Sequence, residues 1–177
     1  IDWTNYTTGI EDMMIEMGCN YLRLSHYQHA DFTYSYCDKM GIMNWAEIPV
    51  INKVKDTEEF TKTSKGQLID LIRQNYNHPS IVVWGLSNEI SMNGSDDDLI
   101  ENHKILNDLC HEMDKTRLTT IAVVSMCSLD DPYIQIPDVV SHNHYFGWYG
   151  GDTSMNGPWF DNFHAKFPDI PVGMSEY

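Results

Sequence analysis

Three glutamates close apolar runs in this sequence: Glu47 in IMNWAE, Glu89 in IVVWGLSNE and Glu176 in IPVGMSE. A carboxylate at the end of a buried strand is costly unless it is paired or hydrogen-bonded, so three such placements point to a site lined with carboxylates. Two carboxylates on opposite sides of a glycosidic bond suffice to hydrolyse it with retention. One protonates the leaving oxygen and later activates water, while the other attacks the anomeric carbon, the pair standing about 5 to 5.5 Å apart. The acid must keep its proton near neutral pH, which an apolar wall such as Trp84 or Trp148 would favour. Asn88 precedes Glu89, and His26 and Tyr145 stand at the ends of two further apolar runs.

The elements that must carry these residues alternate. Ile10, Met13, Met14 and Met17 recur at helical spacing, Gly18 and Asn20 end the helix, and Tyr21–Leu24 reads as a strand. Asp31, a capping type, opens a helix to Met40, Gly41 stops it, and Ile42–Ile48 is a strand closed by Pro49. A helix over Thr57–Tyr76 precedes the break at His78-Pro79-Ser80 and the run Ile81–Leu86, whose continuous apolar character fits a parallel strand buried on both faces. Ser95 caps a helix to about Asp114, and Leu118–Val124 and Val139–Phe146 are strands. A helix over Pro158–Phe167 and a strand over Ile170–Tyr177 complete the series.

Six strands separated by helices, without a linker, predict one α/β unit with a parallel sheet over residues 1–177. A dinucleotide-type sheet calls for an early glycine-rich turn, and neither GxGxxG nor GxxxxGK[ST] occurs. Polar residues instead collect where strands end, as in a TIM (β/α)8 barrel, whose chemistry sits at the C-terminal ends of its strands.

Composition narrows the function class. Net charge is −15, from 26 acidic and 11 basic residues, which leaves no surface for neutralising nucleic-acid phosphates. No apolar run reaches the roughly 18 residues of a membrane span, so neither nucleic acid nor membrane is an expected partner. Cys19, Cys37, Cys110 and Cys127 lack metal-ribbon spacing and are expected to be buried free thiols, which leans the protein towards the cytoplasm.

NYLRLSHYQH, CDKMGIMNWAEIP, RQNYNHPSIVVWGLSNE and PVGMSEY, in this order, resemble the catalytic barrel of glycoside hydrolase family 2, which includes β-galactosidases, β-glucuronidases and β-mannosidases. The resemblance implies Glu89 as acid/base and Glu176 as nucleophile of a retaining exo-β-glycosidase. It makes Asn88 the contact to the sugar 2-hydroxyl, places Tyr145 beside the nucleophile, brings His26 to the bound sugar and assigns Glu47 to the site. Arg23, between Leu22 and Leu24, would brace the acidic cluster or pair with Asp38. Trp148 and Tyr149 offer a sugar-stacking platform or ordinary loop packing.

HNHYFGWYGG and the ending WFDNFHAKFPDIPVGMSEY look most like β-galactosidases, so the expected substrate is a terminal β-D-galactoside, with a β-glucuronide as the alternative. No cofactor is expected. Some relatives hold magnesium through a carboxylate and a histidine shortly after the second-strand glutamate, and IPVINKV supplies neither. A competing reading is a metal-dependent hydrolase using His142 and His144, which share one face of a strand at i, i+2. In the resemblance the blocks fall on strands two to seven of eight. The chain is therefore expected to be an incomplete barrel from a larger enzyme, with doubtful activity alone and a tendency to associate with missing domains or with itself across open edges.

Overall fold

A computed structural model describes residues 3–55 and 57–177, apart from the side chains of residues 3–8 and 10. The order is α1 (Trp3–Glu16), β1 (Tyr21–Leu24), α2 (Asp31–Met40), β2 (Met43–Glu47), α3 (Glu58–Asn75), β3 (Ile81–Asn88), α4 (Asp97–Met113), β4 (Leu118–Val124), β5 (Val139–Asn143), α5 (Asn156–Lys166) and β6 (Val172–Glu176). All neighbouring strands pair in parallel in sequence order, β1 to β6. This is six strands of an incomplete TIM barrel, with helices packed on its outer side.

Side-chain alternation divides the strands between two environments. Trp84 and Leu86 of β3, with Ile121 and Val123 of β4, pack outwards among Leu68, Leu71, Ile72, Leu106 and Cys110 of α3 and α4. Trp45, Val83 and Ala122 form a smaller cluster on the other face. Gly85 is required there, because a Cβ on it would stand 2.5 Å from Glu47 Cβ and closer still to Trp45 Nε1. The NHPSI segment is a joint below β3. Asp38 accepts from the Ser80 N–H at 2.9 Å and pairs with His78, while Arg117 donates to the carbonyls of Tyr76, His78 and Ile81.

The helix starts differ from the sequence expectation in two places. Ala30 precedes α2 without a side-chain cap, and Asp31 is its first residue. Asp96 caps α4 by accepting from the Leu99 N–H at 2.9 Å, whereas Ser95 donates to Asp131 instead. The α2 stop is as expected: Gly41 takes φ 71°, and its N–H returns to the Cys37 carbonyl. All four cysteines are free, Cys37 and Cys110 buried, Cys19 and Cys127 only half-buried. Among the described residues no helix is long and apolar enough to cross a membrane.

Candidate active site

Two bulges aim the carboxylate strands. Between Gly85 and Asn88 of β3 the register to β4 slips, so Ser87 turns outwards to Tyr133 and His103, and Asn88 turns inwards. In the pairing of β5 with β6, His142 faces Met174 and Asn143 faces Glu176, which leaves Ser175 as the extra residue. Glu89, just beyond β3, adopts φ 53°, a left-handed conformation that a non-glycine residue holds at a cost, and its N–H donates to the Ala122 carbonyl at 2.8 Å.

Arg23 is the hub. Its Nε and Nη2 donate to the two oxygens of Glu47 at 3.0 and 2.9 Å, Nη1 reaches Glu176 Oε1 at 2.6 Å, and Nη2 also reaches Asn88 Oδ1 at 2.9 Å. The guanidinium lies over the Trp45 ring, 4.6 Å from its centroid. Of the two roles open to Arg23 from sequence, bracing the acidic cluster is the one observed, since Asp38 is engaged by His78 and Ser80.

Glu176 is gripped on its other oxygen by the Tyr145 hydroxyl, which donates to Oε2. Burial, and then this bond to a carboxylate, push the Tyr145 phenol above its ordinary value, so it stays protonated and remains the donor. Glu89 accepts from Asn143 Nδ2 at 2.9 Å on Oε1, and no hydrogen bond from a described residue falls on Oε2. Asn143 Nδ2 also approaches Asn88 Oδ1 at 3.3 Å. Both contacts to Asn88 fall on its Oδ1, so Nδ2 is the group available to donate to a sugar hydroxyl.

Glu47, Glu89, Glu176, Asn88, His26 and Tyr145 are thus brought together at one end of the sheet. Glu47 differs from expectation in being 1% exposed, with both oxygens taken by Arg23 and His26 Nδ1 at 3.2 Å from Oε1. Burial raises its carboxyl above the usual range against the opposing pull of Arg23. It holds Arg23 and turns no free oxygen to a substrate. Trp148 stands apart on the loop after β5, 77% exposed, its ring near that of Tyr149. Trp84 is no wall for Glu89 either, because it is buried on the helix side with Nε1 donating to Asp114 at 3.0 Å.

His142 and His144 turn away from the site. Their rings stack at 5.4 Å and pack against Trp159 of α5, with no third ligand beside them, and among the described residues no three His, Cys, Asp or Glu side chains gather to hold a metal. Burial lowers His142 to about 3 and His144 to about 4, so both are neutral packing rings at ordinary pH. Asn143, between them, faces the site. It is not among the residues the sequence predicts for the site, and the signal that finds it is the strand parity it shares with Ser141 and Tyr145.

Comparison with known proteins fits this geometry. The family model described as glycosyl hydrolases family 2, TIM barrel domain, matches residues 1–177. A β-glucuronidase of Bacteroides fragilis is 41% identical over 172 residues, covering 93% of this chain and 24% of the relative. A β-galactosidase of Thermoanaerobacterium thermosulfurigenes is 34% identical over 104 residues, covering 59% of this chain and 14% of the relative. The crystal structure of an FMN-binding β-glucuronidase from Facaelibacterium prausnitzii superposes with a TM-score of 0.95 at 47% identity, covering 98% of this chain and 27% of that one. The chain therefore spans about a quarter of the length of the glucuronidases it matches. By sequence and by fold, this chain belongs to glycoside hydrolase family 2 and corresponds to its TIM barrel domain.

Proposed function

We propose that the protein is a retaining exo-β-glycosidase that removes terminal β-D-glucuronic acid by double displacement, with Glu176 as nucleophile and Glu89 as acid/base. The observation that carries the reading is the unequal treatment of the two carboxylates. Glu176 is fixed through both oxygens, by Arg23 and Tyr145, as suits an oriented anion, whereas among the described residues Glu89 is held through Oε1 and not through Oε2. In the first step a Glu176 oxygen forms the bond to the anomeric carbon as the glycosidic bond breaks. The bonding pair stays on the leaving oxygen, which takes the proton of Glu89. In the second step water attacks the anomeric carbon, gives its proton to Glu89, and the pair of the ester bond returns to Glu176. Asn88 Nδ2 serves the sugar 2-hydroxyl, and His26 lines the sugar pocket from its place against Glu47.

The galactoside expected from sequence gives way here to the glucuronide. The two glucuronidases match almost the whole chain at 41% and 47% identity, while the galactosidase matches 59% of it at 34%. Hydrolysis of nitrophenyl β-D-glucuronide and β-D-galactoside by the full-length protein tests the choice. Turnover of the glucuronide at a much higher kcat/KM is expected; preference for the galactoside would overturn the sugar assignment while leaving the two carboxylates in their roles.

A further inference from the structure

We infer that Asn143 is a positioning residue that decides which oxygen of Glu89 carries the catalytic proton. The inference rests on Glu89 being the acid/base. Asn143 ends β5, donates from Nδ2 to Glu89 Oε1 at 2.9 Å, and accepts on Oδ1 from the Ser175 hydroxyl at 2.5 Å. The amide cannot turn over at small cost, since turning would set Asn143 Oδ1 against two acceptors, Glu89 Oε1 and Asn88 Oδ1. Ser175 adjoins Glu176, so the strand carrying the nucleophile fixes the amide that orients the acid.

A carboxyl oxygen facing an N–H donor keeps its lone pair, because a proton there would meet the amide hydrogen. The neutral acid therefore carries its proton on Oε2, the oxygen without a partner among the described residues. From Oε2 the proton passes to the leaving oxygen, and to Oε2 the proton of the attacking water returns. Asn143 keeps its bond to Oε1 in both half-reactions and never touches the substrate.

The test uses the full-length protein and two aryl β-glycosides of the sugar it cleaves, one with phenol and one with 2,4-dinitrophenol as leaving group. General acid catalysis contributes about 10²–10⁴-fold, and only the phenol needs it. Asn143→Ala should lower kcat/KM on the phenyl substrate about tenfold or more and on the dinitrophenyl substrate about threefold or less. Ser175→Ala, a smaller change that guards against misfolding, should show the same split at lower amplitude. Glu89→Gln is the control. Equal loss on both substrates for Glu89→Gln would remove the acid/base reading itself. A split for Glu89→Gln, with Asn143→Ala and Ser175→Ala hitting both substrates equally or neither, would overturn the role of Asn143.

Discussion

Arg23 and Glu176, 153 positions apart, meet at 2.6 Å across the sheet from β1 to β6. The same guanidinium is held from behind by a bidentate pair with Glu47, so one cation orients the proposed nucleophile while a buried anion orients the cation. Removing Arg23 strands the Glu47 charge in the interior. Arg23→Met should destabilise the protein by about 3 kcal/mol or more, and a second change, Glu47→Gln, should restore part of that loss. Denaturant unfolding of the two single variants and the double variant measures the coupling; additive losses would argue against a buried pair.

Gly85 sits under the indole of Trp45 and beside Glu47. Gly85→Ala forces a methyl into that space, at a cost of about 1–3 kcal/mol, and pushes aside the carboxylate that anchors Arg23. Both the unfolding midpoint and kcat should fall. An alanine variant with unchanged thermal unfolding would mean that Trp45 moves aside freely.

Tyr145 donates its hydroxyl to Glu176, the proposed nucleophile. Tyr145→Phe keeps the ring contact with Tyr149 but removes a donor to Glu176, a carboxylate still partly open to solvent, so kcat/KM should drop about tenfold or more while the unfolding midpoint moves by a few degrees at most. Steady-state kinetics beside thermal unfolding distinguishes this from a packing role, which would move both.

Acid stability should follow the buried histidines. Burial lowers His142 to about 3, and His144 and His103 to about 4, against about 6.5 in an unfolded chain. Between pH 6.5 and those values the unfolded chain binds protons that the folded one refuses. The histidines' contribution is therefore complete above about pH 6.5 and is lost as pH falls below it. Urea midpoints should drop from about pH 7 to about pH 4.5, and His142→Phe should flatten the decline. An equal slope with and without His142 would show that the ring is not buried and neutral.

Much of this was legible in the sequence because strand ends announce themselves. Continuous apolar runs closed by Glu47, Glu89 and Glu176 located the parallel strands and the residues they present, and Gly41 and His78-Pro79 marked the joints. The limits have physical causes. Helix capping at Asp96 rather than Ser95 depended on Asp131, a residue 36 positions from Ser95 that claims its hydroxyl. Glu47 has the strand-end signature of a substrate contact, and only the three-dimensional pairing with Arg23 and His26 shows that its oxygens are spent. Bulges at Ser87 and Ser175 shift parity by one residue, which no periodicity count reveals, and they decide that Asn88 and Glu176 face the site.

The central claim, that Glu176 forms the covalent intermediate, is tested most directly by trapping it. A 2-deoxy-2-fluoro glycosyl fluoride of the cleaved sugar, incubated with the full-length protein and followed by proteolysis and mass spectrometry, should leave one added glycosyl group on the peptide containing PVGMSEY, at Glu176, and none in Glu176→Gln. A label on Glu89 or Glu47, or steady turnover with inversion and no trapped species, would contradict the account.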